Sequence, residues 1–162
     1  MDCSGATAQA IGTQRINYYL HPGQIFVSTE SHAVTTILGS CVSVCLWDPI
    51  SDIGGLNHFL LPFDVGGQAS GRFGNLAMRE LIERLLSIGA EQNRLQAKLF
   101  GGACVLEAFR HRANHLGSQN VEVARGMLAA LNVPIIGEDV EGRNGRKLIF
   151  HTDTGSAWIK LL

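Results

Sequence analysis

Two apolar, β-branched runs separated by a glycine turn set the first constraint on this chain. Residues 34–38 read VTTIL and residues 42–47 read VSVCLW, with Gly39, Ser40 and Cys41 between them. Short apolar runs bounded by turn residues are the pattern of buried strands. Asp48-Pro49 closes the second run, because proline fixes its own φ and biases its predecessor away from helix. A third run, 53–61, follows after a short loop and carries His58 in its middle. The three runs predict a meander of neighbouring strands. Antiparallel neighbours set the start of one strand beside the end of the next, which brings Cys41 and His58 together.

That juxtaposition has chemical content. A free thiol titrates near roughly pH 8.5, and the thiolate is the nucleophile, so cysteine gains from a base within hydrogen-bond reach. Histidine can take the proton and return it to a leaving group. Gly39 and Ser40 offer a side-chain-poor approach where a substrate carbonyl meets backbone N–H donors, which makes them the expected substrate-binding positions. The segment after Cys41 is strand-like, so no helix dipole acidifies the thiol and the burden falls on His58. The competing reading makes Cys41 a core residue, since cysteine is among the most buried types. Ser40 is a weaker nucleophile candidate, because the second glycine of a G-x-S-x-G elbow is missing.

A chain of 162 residues is the size of one domain with a real core, and a formal net charge of -1 gives no electrostatic reason to expect nucleic acid or an anionic membrane as partner. No segment is long and apolar enough to insert in a bilayer. The first residues lack the basic-then-apolar pattern of a secretory signal, which reads as a cytoplasmic protein. Of the cysteines Cys3, Cys41, Cys45 and Cys104, two lie in apolar strands, and reduced thiols are expected. Cys41 and Cys45 are spaced by three residues, not the two of a redox C-x-x-C, and no helix starts there.

Residues 1–22 read as a loosely ordered tail and 23–162 as one domain. Strands are expected at 24–28, 97–100, 134–140, 147–152 and 156–161. Residues 76–88 predict a helix capped by Asn75 and ended by Gly89, with Met78, Leu81, Ile82 and Leu85 on its apolar face. A second helix runs from a Ser118 cap to about residue 132, with Val121, Ala124, Met127, Leu128 and Leu131 inward. The glycine-rich stretch 63–74 reads either as a cover for the site or as a plain connection. Gly101-Gly102 lacks the G-K-[ST] of a phosphate loop. His111 and His115 have helical metal-ligand spacing, yet neither the glutamate of H-E-x-x-H nor a third ligand accompanies them, so no metal or other cofactor is expected. Arg143, Arg146 and Lys147 read as a solvated basic cluster. The class is α/β, with mixed β-sheets and two main helices.

Several ordered blocks resemble the CheD family of chemoreceptor glutamine deamidases. They are TTILGSCVSVCLWDP at 35–49, GGLNH at 54–58 and LLP at 60–62, then AKLFGGA at 97–103, GSQNV at 117–121 and GRNGRK at 142–147. The resemblance implies a three-layer α/β sandwich. It implies Cys41 as nucleophile, His58 as base, and Thr35, six positions before the cysteine, as third member. Thr36 would point to the opposite face of that strand. The implied activity is hydrolysis of receptor glutamine side chains to glutamate through a thioester, with methyl esters open to the same chemistry. The implied partners are methyl-accepting chemotaxis receptors and a CheC-type phosphatase. A binding module that regulates such a phosphatase, with little catalysis, is the alternative from another class.

Overall fold

The computed structural model describes residues 14–64, 66–67 and 70–162. Among these, nine strands and two α-helices make two mixed sheets. The strands are β1 (Ile16–Tyr19), β2 (Ile25–Ser28), β3 (His32–Leu38), β4 (Val42–Asp48), β5 (Ile53–Asn57), β6 (Gln96–Gly101), β7 (Ile135–Val140), β8 (Arg146–His151) and β9 (Ala157–Leu161). The helices are α1 (Gly74–Ser87) and α2 (Leu116–Ala130). One sheet has the order β1-β3-β8-β9 and the other β2-β5-β4-β6-β7.

The five-stranded sheet is the middle layer of three. Val42, Val44 and Leu46 of β4 point to the helices, where they meet Ala77, Met78, Leu81 and Leu85 of α1 and Ala124 and Leu128 of α2. Cys45 and Leu56 point the other way, against Val34, Leu38, Leu148 and Phe150 of the four-stranded sheet. Each large aliphatic side chain so buried contributes roughly 1.5–3 kcal/mol relative to exposure. A near-continuous apolar strand such as β4 follows from having both faces covered.

The predicted meander holds for β4 and β5, which pair antiparallel with Cys45 opposite Leu56. It fails for β3, which lies in the other sheet between β1, parallel, and β8, antiparallel. The Gly39-Ser40 turn therefore carries the chain from one sheet to the other, and Cys41 stands where it arrives.

Helix starts also differ from the sequence pattern. Phe73, not Asn75, is the N-cap of α1 and makes no side-chain cap bond, while Gly89 ends the helix at φ +113° as expected. His115 caps α2 in place of Ser118, its Nδ1 accepting from the Ser118 N–H at 3.2 Å. Of the expected N-terminal tail, residues 1–13 lie outside the described residues. The rest includes β1, and Leu20 beyond it is fully buried.

Candidate active site

The turn that presents Cys41 is tied down by all three of its carbonyls. Gly39 O accepts from Ala103 N–H at 2.9 Å, and Cys41 O from Gly102 N–H at 2.8 Å. Ser40 O accepts from the Asn120 side chain at 3.0 Å. Gly101, the last residue of β6, allows this approach. Gly101 has φ +103°, and a Cβ there would fall 2.2 Å from Cys41 O. Such a backbone contact is open to glycine alone.

His58 follows directly on β5, and its backbone is held on both sides. Its N–H donates to Gln24 O at 3.1 Å and its carbonyl accepts from Gly23 N–H at 2.7 Å. Next to it, Phe59 and Val42 exchange two bonds of 3.0 and 3.1 Å, an isolated antiparallel bridge beyond the β4–β5 ladder. That bridge keeps the register of Cys45 opposite Leu56, so Ser43 stands across from His58 and Cys41 lies diagonally beyond it on the same face. Diagonal neighbours on one face of an antiparallel pair are within reach of long side chains. Both residues belong to the face that looks toward the four-stranded sheet.

The third residue comes from that other sheet. It is Thr36, whose Oγ1 lies 2.7 Å from His58 Nδ1. Thr35, the residue the resemblance implied, is one position off. Along β3, Val34, Thr36 and Leu38 are fully buried between the sheets, whereas Thr35 shares the outer face with Ile37, which is 48% exposed. Alternation of the strand decides between the two threonines.

The same contacts fix the imidazole tautomer. Thr36 Oγ1 donates its single proton to Leu20 O at 2.8 Å, because a carbonyl can only accept. Toward His58 the hydroxyl must then accept, so Nδ1 carries the proton and Nε2 keeps its lone pair. Among the described residues Nε2 is buried with no hydrogen-bond partner. A bare nitrogen lone pair on the face that also carries Cys41 is what accepting a thiol proton requires.

Burial sets the resting protonation states. Desolvation pushes the His58 pKa down to about 4. Desolvation also raises the Cys41 thiol above its ordinary range, partly offset by its own backbone N–H, which bonds to the sulfur. The resting pair is therefore a neutral thiol and a neutral imidazole. Cys45 is wholly buried and its thiol is raised by desolvation, which removes it from nucleophilic or redox chemistry at neutral pH.

Cys41 is half-buried, and beside its turn lies a cleft of about 410 Å³ lined by Ser40, Val105, Leu106, Phe109, Arg112 and His115 among others. Neither Cys41 nor His58 lines that cleft; Ser40 connects the two. His111 and His115 do not share a helix, since His115 caps α2, and no group of potential metal ligands occurs among the described residues. Arg146 is not part of a solvated cluster. It is 2% exposed and binds Asp139 and the Glu141 carbonyl, because it alternates inward with Leu148 and Phe150. Asn120 had no assigned role in the sequence, though it interrupts the apolar stripe of Gly117, Val121, Ala124 and Leu128, and a polar residue on a buried stripe is a legible signal.

Fold and site together define a three-layer α/β protein with a cysteine, a histidine and a threonine directed into the seam between its sheets. A family model described as CheD chemotactic sensory transduction matches residues 60–161. A probable chemoreceptor glutamine deamidase CheD 1 of Anaeromyxobacter dehalogenans is 49% identical over 151 residues, 93% of this chain and 88% of that protein. The probable chemoreceptor glutamine deamidase CheD of Trichlorobacter lovleyi is 44% identical over 139 residues, 85% of this chain and 86% of its own length. That of Stenotrophomonas maltophilia (strain K279a) is 46% identical over 144 residues, 88% of this chain and 72% of its own. The chain belongs to the CheD family.

Proposed function

We propose that this chain is a cysteine-dependent glutamine deamidase that acts on chemotaxis receptors in the cytoplasm. The observation that carries the reading is the bare Nε2 of His58, fixed in the general-base tautomer by Thr36 and set on the face that bears Cys41. The names of the relatives supply the substrate class.

In the proposed reaction Cys41 Sγ attacks the side-chain carboxamide carbon of a receptor glutamine as its proton passes to His58 Nε2. A tetrahedral oxyanion forms and is held by backbone N–H groups of the Gly39–Ser40–Cys41 turn. The imidazolium returns the proton to the amide nitrogen, the C–N bond breaks, and ammonia leaves a thioester on Cys41. Water, losing its proton to Nε2, adds to the thioester. The C–S bond then breaks, the sulfur regains a proton from His58, and glutamate is released. Thr36 keeps the ring oriented throughout, the role of the third group in other triads, with an uncharged hydroxyl. Because the resting imidazole is a weak base and the thiol is raised, proton transfer and carbon attack proceed together, and no standing thiolate is needed.

The test is to incubate a receptor cytoplasmic fragment with the protein and follow Gln-to-Glu conversion by peptide mass. Conversion that disappears in Cys41→Ala supports the enzyme. A protein that bound a CheC-type phosphatase and left every receptor glutamine intact would be the regulatory module instead.

A further inference from the structure

Asn120 is fully buried on α2 and uses both protons of its amide on the site. Nδ2 donates to Ser40 O at 3.0 Å and to Leu60 O at 2.9 Å. Two carbonyl acceptors leave no choice of orientation, since only the NH₂ end can donate. The oxygen end, Oδ1, is buried with no partner among the described residues. An unpaired buried carbonyl is destabilising, so the amide is not there for stability alone.

Its two acceptors are chosen by position. The antiparallel pairing of β4 with the β5 segment reaches its last bridge at Val42 and Phe59. Beyond that bridge Cys41 and Leu60 are no longer paired with each other, and Asn120 clips the two chains together there through Ser40 O and Leu60 O. Ser40 O also belongs to the peptide unit whose N–H is that of Cys41. In a trans peptide the C=O and N–H point in opposite directions. Holding the carbonyl toward α2 therefore turns the Cys41 N–H away from the helix. A hydrogen bond accepted at one end of a peptide unit also polarises the N–H at the other.

We propose that Asn120 is a positioning residue for catalysis: it aims and polarises the Cys41 N–H as an oxyanion donor. The inference rests on Cys41 as the nucleophile, and it extends that reading to a residue with no contact to substrate.

The experiment compares two reactions of the same thiol in the full-length protein. With p-nitrophenyl acetate, an S–C bond forms and the C–O bond to nitrophenolate breaks through a tetrahedral oxyanion. With iodoacetamide, an S–CH₂ bond forms and C–I breaks with no oxyanion. Both rates are read by mass at the Cys41 peptide, for wild type, Asn120→Leu and Asn120→Ala, well below each variant's melting temperature. A direct oxyanion donor is worth roughly 10²–10³ in rate, so losing its alignment should slow acylation by at least about tenfold while alkylation changes little. The two variants guard against one that does not fold. Equal proportional falls in both rates, or no change in either, would overturn the proposal. Wild-type protein that is acylated at Cys41 but converts no receptor glutamine would defeat the deamidase reading while the acylation-to-alkylation ratio still decided the role of Asn120.

Discussion

Thr36 accepts a hydrogen bond from His58 Nδ1 across the seam between two sheets, at 2.7 Å, because its own proton is committed to Leu20 O. One hydroxyl thereby sets which imidazole nitrogen is free. Replacing Thr36 by valine keeps the shape and removes both bonds, so the ring can adopt either tautomer and rotate. Thr36→Val is expected to lower the deamidation kcat by roughly 10- to 100-fold, less than the roughly 10²–10⁴ of a general base itself, because the hydroxyl acts only through the ring. Stability should fall by about 1–3 kcal/mol for the groups left unpaired. Thr35→Val, on the outer face, is expected to leave kcat unchanged. Steady-state kinetics on the two variants separates the threonines, and the opposite ranking would contradict the assignment.

The resting site holds a neutral thiol, and that has a signature in pH. With His58 down at about 4 and Cys41 raised, alkylation of Cys41 by iodoacetamide should be slow at pH 6 and climb steadily through pH 9. A preformed thiolate–imidazolium pair would instead react at a nearly constant rate across the acid and neutral range. A flat profile between pH 5 and 8, read by mass at the Cys41 peptide, would show such a pair.

His58 also couples folding to acid. Its folded pKa, about 4, lies below the ordinary value near 6.5, so between these limits the unfolded chain binds a proton that the folded one refuses. Stability is therefore complete above about pH 6.5 and is lost as pH falls toward 4, by about 3 kcal/mol at most from this group. Asp48 works in a lower window. Its carboxylate is fully buried but held by Arg94 and by the Glu91 and Ile50 N–H groups, which keep its pKa below the usual range, so its contribution is lost only under stronger acid. Urea unfolding at pH 7 and pH 4.5 should show a smaller loss in His58→Asn than in wild type.

Gly101 shows how closely β6 supports the nucleophile. An alanine there would need φ near +103° and would put its Cβ against Cys41 O. Gly101→Ala is expected to destabilise the fold by about 2–4 kcal/mol, from the strained backbone and the forced shift of the cysteine turn. It should also lower kcat more than it raises KM, since what moves is Cys41. Thermal melting and steady-state kinetics on the variant check both parts.

Much of this was legible in the residues, and the rest was hidden for definite reasons. Hairpin pairing of β4 with β5 follows from run length and the Asp48-Pro49 turn, and it suffices to bring Cys41 near His58. The location of β3 in another sheet does not follow, because VTTIL is apolar or β-branched at every position and gives no sign of which neighbour it pairs with. For the same reason the inward threonine could not be told from the outward one: Val34 and Leu38 mark one face, but Ile37 marks the other equally well. β1 escaped because Ile16 and Tyr19 are exposed at 53% and 45%, so no apolar periodicity announces an edge strand. Arg146 and Asn120 were readable in principle. Each is a polar residue in phase with a buried stripe, and such residues are found inside when their hydrogen bonds are met.

The most direct measurement is capture of the acyl-enzyme. Wild-type protein mixed with a receptor cytoplasmic fragment is quenched in acid within a turnover, digested and analysed by mass for a receptor peptide joined to the chain. A hydroxylamine-labile thioester is expected on Cys41, absent in Cys41→Ala along with all conversion of glutamine to glutamate. An adduct on any other residue, or undiminished conversion by Cys41→Ala, would contradict Cys41 as the nucleophile.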